Sequence, residues 1–120
     1  MPQYMLLIYG DPADAPGPDE QDAQMAHWMQ YTTDLQESGS MRAGDALDRA
    51  DTATTVRVRD GETVITDGPF AETKEILGGY YLIDVPDLDA ALAWAAKMPN
   101  ITYGSVEVRP VWDFSADAGA

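Results

Sequence analysis

The only histidine of this sequence, His27, is the side chain that could most readily transfer a proton near neutral pH. A carboxylate brought close by folding would complete an acid–base pair, with Asp67 as the first candidate and Asp45 as the second. Such a dyad suits an isomerisation or an elimination on a small organic acid or phenol. We therefore predict His27, Asp67 and Asp45 as catalytic residues.

His27 also has a purely structural interpretation. At about 100° per residue, it lies about 130° from the centre of the apolar stripe of its predicted helix. It shares a polar band there with Gln24, Tyr31 and Asp34. A solvated surface histidine would occupy the same position, so both interpretations stay open.

Asp67 begins the segment Asp67-Gly68-Pro69-Phe70, which leaves a strand in a sharp turn. Pro69 has no amide hydrogen, so Asp67 could close this turn by accepting a hydrogen bond from the Phe70 amide instead of carrying a proton. We predict ligand contacts for Phe70, for Lys74 just beyond it, and for Tyr31. Lys74 could instead form a surface ion pair with a neighbouring glutamate.

Composition excludes several classes of function. The net charge is −14, and no basic residue precedes Arg42, so we expect no direct nucleic-acid binding and no docking on anionic lipid. One histidine and no cysteine support no metal site, and neither a phosphate-binding glycine loop nor a nucleophile elbow is present. We therefore predict no cofactor. The absence of cysteine favours the cytoplasm.

Two strands should form the centre of a sheet. Residues 3–9 and 79–85 are apolar on both faces, as in strands covered on both sides. The first run is too short to cross a membrane or to form a signal-peptide core. Further strands are predicted at residues 41–47 and 105–112, with Pro110 marking an edge or a strand end.

Two helices should cover this sheet. The first is expected to begin at a cap on Asp19 and to end near residue 37, and the second runs from Asp87 to a stop at Pro99. Their apolar stripes, which should face the sheet, are Met25, Trp28, Met29, Thr32 and Leu35 in the first and Leu88, Ala91, Leu92 and Ala95 in the second.

Asp60-Gly61 separates two alternating runs and predicts a tight β-hairpin. Its register places Arg59 opposite Glu62 and Val56 opposite Ile65. The element order predicts an α+β fold: a ferredoxin-like split βαβ domain with an inserted hairpin, an antiparallel sheet and both helices on one face. A second copy of the chain is the simplest cover for the other face, so we expect a homodimer. Residues 1–114 form one domain, and residues 115–120 a frayed tail.

Four segments together resemble the YCII-related family in its DGPF branch, over nearly the whole chain. They are Asp67-Gly68-Pro69-Phe70-Ala71-Glu72-Thr73-Lys74-Glu75, Gly78-Gly79-Tyr80-Tyr81, Asp87-Leu88-Asp89-Ala90-Ala91 and Glu107-Val108-Arg109-Pro110. The resemblance implies a dimeric α/β-barrel type of ferredoxin-like domain. It also implies enzymatic function through a histidine in the first helix region, for which His27 is the candidate, and an aspartate further along.

The resemblance implies a second class of function as well. Proteins of the DGPF branch look associated with sigma-70-type factors, which implies a ligand-sensing or protein-binding module that regulates transcription. Two hypotheses therefore follow from the sequence. One is a cofactor-free acid–base enzyme acting on a small organic molecule, and the other is a regulatory module that turns over nothing.

Overall fold

The structure, a computed structural model, describes residues 1–14, 17–69 and 73–114. The predicted ligand contact Phe70 and the predicted tail at 115–120 lie outside these ranges. In these ranges, six strands and two α-helices follow one another, with short 3-10 turns at Pro12–Asp14 and Ala50–Thr52. They are β1 (Gln3–Gly10), α1 (Gln21–Glu37), β2 (Met41–Ala46), β3 (Thr54–Arg59), β4 (Glu62–Asp67), β5 (Ile76–Asp84), α2 (Leu88–Ala95) and β6 (Ser105–Pro110).

Four strands form one antiparallel sheet in the order β2-β5-β1-β6. The two strands predicted to be central, β1 and β5, are central, because their apolar residues can be covered on both faces. β6 is an edge strand that ends at Pro110, which has no N–H for a further ladder bond. The α+β, ferredoxin-like order predicted from the sequence is confirmed, and the sheet of one chain is open and does not close into a barrel.

Both helices pack on the same face of the sheet. Leu6 of β1 and its cross-strand partner Tyr81 of β5 belong to one buried cluster with Leu35 of α1 and Ala91 of α2. Burial of such side chains supplies the main stabilisation, at about 1.5–3 kcal/mol for a fully buried large apolar side chain. Met5, Leu7 and Leu82 alternate with the core residues, so they point to the opposite face. Neither helix covers that face.

The hairpin β3–β4 forms a separate two-stranded sheet. Asp60 and Gly61 have φ values of 52° and 78°, the left-handed pair that its tight turn requires. Arg59 pairs with Glu62 and Val56 with Ile65, so the predicted register is confirmed.

The first helix differs from the prediction at its start and on one side. Glu20, not Asp19, is the N-cap, and it makes no side-chain cap bond, because residues 18–20 form a turn in which the Gly17 carbonyl accepts the Glu20 amide. Tyr31 was assigned to the polar band, but it is buried, because α2 packs against that side of α1.

The second helix begins as predicted. The Asp87 carboxylate accepts the Ala90 amide at 2.9 Å, as an N-cap should. Its predicted stripe is partly wrong: Ala91 and Ala95 are buried, but Leu88 and Leu92 are exposed, because the small alanine side is the one that approaches the sheet. Within the described residues, no helix has both the length and the apolar character needed to cross a bilayer.

Candidate active site between helix and sheet

A cavity of about 1070 Å³ lies between the N-terminal half of α1 and the sheet, and it opens to solvent. Three side chains of the predicted apolar stripe, Met25, Trp28 and Met29, line it. Met25 and Met29 are 61% and 65% exposed, because they face this open space. At the C-terminal end of the stripe, Leu35 is fully buried, as predicted. The stripe therefore packs at one end and forms a binding surface at the other.

Two hydroxyl groups meet at one wall of the cavity. Thr32 Oγ1 of α1 lies 2.6 Å from the phenolic oxygen of Tyr81 on β5, and either group can be the donor. Two hydroxyls carry two hydrogens, and their mutual bond uses one of them. The pair therefore keeps one O–H that can donate to an oxygen of a ligand.

Gly44 on β2 makes room for the Tyr81 ring. It pairs with Tyr81 across the strands, and a Cβ atom at position 44 would lie 2.7 Å from Tyr81 Cδ1. Such a contact is far inside normal van der Waals distance. The absence of a side chain at Gly44 thus allows the ring to lean toward the edge strand.

A second hydrogen-bonded pair lies nearer the start of α1. Gln24 Nε2 donates to the Tyr103 hydroxyl at 2.7 Å, and Tyr103 lines the cavity. Burial raises the pKa of Tyr103 above the ordinary tyrosine value, so its phenol stays protonated at neutral pH. Because Gln24 is the donor, the O–H of Tyr103 is available to another acceptor.

Four aspartates are among the residues that line the cavity, Asp11, Asp45, Asp48 and Asp51, although the carboxylate of Asp45 points away from it. Asp11, which follows β1, is half-buried, whereas the other three are exposed. One oxygen of Asp11 accepts the Ala13 amide at 2.9 Å, which fixes the carboxylate at the end of the strand. Asp51 forms an exposed ion pair with Arg49 at 3.0 Å on the rim.

The predicted catalytic histidine lies elsewhere. His27 is exposed and lines a separate shallow groove between α1 and α2, together with Asp34 and Lys97. Within the ranges that the structure describes, no carboxylate oxygen approaches His27 within 4.0 Å. A single chain therefore does not bring His27 into contact with Asp45 or Asp67.

Asp45 directs its carboxylate to the other face of the sheet. A side chain at the preceding residue, Gly44, would face the Tyr81 ring. Successive strand residues point to opposite faces of a sheet, so the Asp45 side chain points the other way. There the Tyr80 hydroxyl donates to Asp45 Oδ2 at 2.7 Å. This hydrogen bond, and then the charge of Asp45, raises the pKa of Tyr80.

The motif residues lie at the base of the hairpin. Asp67 is exposed at the end of β4, and Gly68 has a φ of 100° that favours glycine. The Gly68 amide donates to the Ala53 carbonyl, and Thr55 Oγ1 donates to the Gly68 carbonyl, each at 2.7 Å. These bonds close the base of the hairpin.

Lys74 is exposed, and among the described residues no carboxylate lies within 4.0 Å of it. Glu75 instead accepts a hydrogen bond from Ser105 Oγ at 3.0 Å. Tyr31, the third predicted ligand contact, is 5% exposed and donates its hydroxyl to the Trp94 carbonyl at 3.0 Å. Burial, and then the neighbouring Tyr81, raises the pKa of Tyr31.

The described part of the chain contains no group of three or more His, Asp or Glu side chains that could hold a metal ion. The expectation that the protein uses no metal and no cofactor stays a prediction.

Sequence reasoning missed the residues that line the main cavity. It assigned Trp28 and Thr32 to a stripe packed on the sheet and gave no role to Tyr81, Tyr103 or Asp11. The signal was the stripe itself, because two methionines and a threonine on one helix face are less suited to a dry core than leucine and isoleucine.

The antiparallel sheet with two helices on one face, and the cavity between helix and sheet, define an α+β protein of the ferredoxin-like class. The chain belongs to the YCII-related domain family, whose model matches residues 2–115. The resemblance to this family is thereby confirmed, and its DGPF branch stays a prediction.

The chain is similar to one protein in sequence and to another in structure. It is 38% identical over 112 residues to the uncharacterized protein R00369 of Rhizobium meliloti (strain 1021), covering 90% of each chain. Its structure is similar to that of a 5-chloro-2-hydroxyhydroquinone dehydrochlorinase of Burkholderia phenoliruptrix AC1100, solved in complex with 2,5-dihydroxybenzoquinone. The TM-score is 0.54 at 11% identity, and the match covers 92% of this chain and 93% of the other. At this identity, the likeness concerns the fold.

Proposed function

We propose that this protein is an enzyme that binds a small, largely apolar organic molecule in the cavity beneath α1 and moves a proton on it with its own side chains. The hydroxyl pair of Thr32 and Tyr81, which lines the same cavity as the apolar side chains of Met25, Trp28 and Met29, is the observation that carries the proposal. Binding sites of this kind combine apolar walls with a few oriented polar groups.

The chemistry follows from the groups around the cavity. The free O–H of the Thr32–Tyr81 pair donates to a carbonyl or phenolic oxygen and stabilises the negative charge that develops there. Asp11 is the half-buried carboxylate of the same cavity, and it lies five residues beyond Leu6, the cross-strand partner of Tyr81. It therefore takes the proton from a carbon that is remote from that oxygen and conjugated with it, so that the charge can reach the Thr32–Tyr81 pair. This arrangement suits an enolisation or the first step of an elimination.

The structural neighbour supplies a first compound to test. That protein is named as a dehydrochlorinase and was solved with 2,5-dihydroxybenzoquinone. Because the likeness concerns the fold, the quinone serves as one probe among phenols and enolisable ketones.

The experiment has a binding arm and a turnover arm. Trp28 lines the cavity, so a bound ring should quench its fluorescence, and the Trp28→Phe variant identifies its signal among the three tryptophans. Proton transfer is then followed as deuterium incorporation from D₂O into the bound compound by NMR. Asp11→Asn should abolish the incorporation and preserve the quenching. Binding without any exchange or turnover would support the ligand-sensing alternative and contradict the enzyme.

A dyad of His27 with Asp45 or Asp67 stays a prediction, and it requires a partner subunit to bring the groups together. Exchange that persists unchanged in Asp11→Asn but is lost in His27→Gln would favour the dyad over Asp11. Nothing in the fold or in the similar proteins supports an association with a sigma-70-type factor.

We further propose that the working protein is a homodimer. The chain is a plate only 18 Å thick, with extents of 54 and 46 Å in the other directions. No helix covers the apolar residues on the face of the sheet that lies opposite α1 and α2. The hairpin residues Val56, Val58 and Ile65 are likewise exposed. Packing two sheets face to face removes such surface from water.

Sedimentation velocity tests the dimer. Leu7→Lys places a charge on the open sheet face and should yield monomers at micromolar concentration. Ala93→Lys, on the exposed side of α2, is the matched control and should leave the dimer intact. A native chain that sediments as a monomer would refute this assembly.

A further inference from the structure

The charged side chains that line the cavity beneath α1 are mostly acidic. Asp11, Asp48 and Asp51 line it, and Arg49 is the only basic residue among the described residues that do. Arg49 is itself paired, because its Nη2 lies 3.0 Å from Asp51 Oδ2. Three carboxylates against one guanidinium leave an excess of two negative charges at the cavity, without counting Asp45, whose carboxylate points away.

The rest of the chain does not offset this excess. The net charge is −14, so the field of the whole molecule has the same sign as that of the cavity. Arg42, the basic residue of β2, is paired with Asp84 and does not line the cavity. An anion that approaches the cavity is therefore repelled both at a distance and at the rim.

Asn100 adds a further acceptor to the cavity wall. It lines the cavity, is 4% exposed, and donates from Nδ2 to the Tyr9 carbonyl at 3.2 Å. Its Oδ1 has no hydrogen-bond partner in the described part of the chain. The partial negative charge of this oxygen is therefore uncompensated, and electrostatic interactions are stronger in such buried surroundings than in water.

The proposed reaction favours the same kind of ligand. When Asp11 takes a proton from carbon, the electron pair left behind becomes a negative charge on the oxygen that the Thr32–Tyr81 pair binds. A substrate that is already an anion would have to carry a second negative charge beside the carboxylates of the cavity. Like charges so close together disfavour one another, so the substrate should enter without a negative charge.

We propose that the cavity selects its ligand by charge: it takes an uncharged phenol or ketone and rejects a carboxylate of the same shape. Asp48 and Asp51 at the rim and Asn100 in the wall determine this selectivity, and Arg49 opposes it. Of the organic acids and phenols expected from the sequence, the cavity thus takes the phenols. This inference rests on the proposed function and narrows the substrate class of that site.

Three probes of one shape and different charge test the proposal: para-hydroxybenzoate, para-hydroxybenzamide and para-hydroxybenzamidine. They share the phenol, and at neutral pH their flat head groups are negative, neutral and positive. Isothermal titration of the intact protein measures each Kd. At about 0.01 M salt, the amide should bind about fivefold more tightly than the benzoate, the effect of two unit charges at about 8 Å in water. The amidine should bind at least as tightly as the amide.

Salt provides a second readout of the same selectivity. At about 1 M salt the Debye length falls to about 3 Å, so the charges of the rim no longer reach the ligand. The advantage of the amide over the benzoate should then shrink, through tighter binding of the benzoate. An advantage that arose from the shape of the cavity would not change with salt.

Variants at the rim should change the advantage of the amide in opposite directions. The Asp48 carboxylate accepts the Arg49 amide at 2.7 Å, and an asparagine keeps an acceptor there. Asp48→Asn should reduce the advantage to about twofold, and Arg49→Gln should raise it to about tenfold. Glu37→Gln, at the exposed far end of α1, makes the same change in net charge as Asp48→Asn and is the matched control. It should leave the advantage unchanged.

Circular dichroism and the melting temperature verify that each variant folds. Benzoate that binds as tightly as the amide at low salt, or equal advantages in folded Asp48→Asn and Glu37→Gln, would overturn selection by charge and leave the proposed cavity function in place. If none of the three phenols binds and Trp28 fluorescence responds to no quinone or ketone, the proposed function itself fails.

Discussion

Thr32 on α1 and Tyr81 on β5 share a hydrogen bond of 2.6 Å that joins the helix to the sheet beside the cavity. The same bond fixes the direction of a donor that a ligand can use. Stability and binding are therefore linked at this pair.

The first prediction concerns that bond. Tyr81→Phe keeps the ring and removes the hydroxyl, so it should lower the free energy of unfolding by about 1 kcal/mol. It should also release the Thr32 hydroxyl from the direction that this bond fixes, and oxygen-bearing ligands should then bind more weakly, by up to about fivefold. Denaturant unfolding and titration measure the two effects. Tyr4→Phe, at a buried tyrosine that does not line the cavity, should not weaken binding, and equal losses of binding in both variants would contradict a specific role for Tyr81.

Gly44 should control the position of the Tyr81 ring. A methyl group at this position would lie 2.7 Å from Tyr81 Cδ1, so Gly44→Ala must displace the ring and weaken its bond to Thr32. We expect a loss of about 1–3 kcal/mol in stability, typical of overpacking, together with weaker binding of oxygen-bearing ligands. In the Tyr81→Phe background, Gly44→Ala should have little further effect on binding. Gly17→Ala, where a methyl group would meet nothing within 4 Å, is the control.

The two helices should respond differently to loss of the side chain at the N-cap. Asp87→Ala removes the acceptor of the Ala90 amide and should cost about 1 kcal/mol of stability. Glu20 makes no cap bond, so Glu20→Ala should change stability by less than about 0.5 kcal/mol. Thermal or denaturant unfolding of both variants checks this. A larger loss for Glu20→Ala would show that α1 is capped differently.

Leu35 and Met29 lie on the same predicted stripe, and substitutions at the two positions should distinguish a residue that packs in the core from one that binds ligand. Leu35 is fully buried, so Leu35→Ala should destabilise the protein by about 2–5 kcal/mol. Met29 is 65% exposed in the cavity, so Met29→Ala should change stability by less than about 0.5 kcal/mol and weaken ligand binding. A large stability loss in Met29→Ala would mean that the cavity is closed in solution.

Tyr80 should titrate abnormally because of Asp45. The hydrogen bond and the charge of Asp45 raise the pKa of Tyr80 above the ordinary value of about 10. The folded state holds this proton more tightly, so the stabilisation is present below the ordinary pKa and is lost as the pH rises through the raised one. In Asp45→Asn the pKa of Tyr80 should fall toward the ordinary value. Ultraviolet titration of tyrosinate measures this, with Tyr80→Phe assigning the signal.

Much of the fold could be predicted because the information is local. Asp60-Gly61 prescribes a tight turn through its left-handed backbone, and Asp87 caps a helix through a bond that spans three residues. Continuous apolar character in β1 and β5 predicts their central place in the sheet. These features depend on near neighbours and on burial, which the sequence specifies directly.

The candidate site could be predicted only in part, because periodicity shows which residues share a helix face but not what lies opposite them. Met25, Met29 and Leu35 share one stripe, yet only Leu35 reaches the core. Tyr31 lies on the predicted polar band and was expected to contact a ligand, yet α2 covers it. Both outcomes depend on where other elements pack, which no local pattern of α1 contains.

The sequence by itself determined the element order, the hairpin register, the central strands and the family. The tertiary structure decided which side chains share a cavity, because residues far apart in the chain, such as Thr32 and Tyr81 or Gln24 and Tyr103, meet only when helix and sheet pack. It also separated His27 from Asp45, since the histidine lies on α1 and the carboxylate points to the far face of the sheet. Strand alternation fixes the face on which Asp45 points, and helix packing fixes where His27 lies; only the folded chain combines the two.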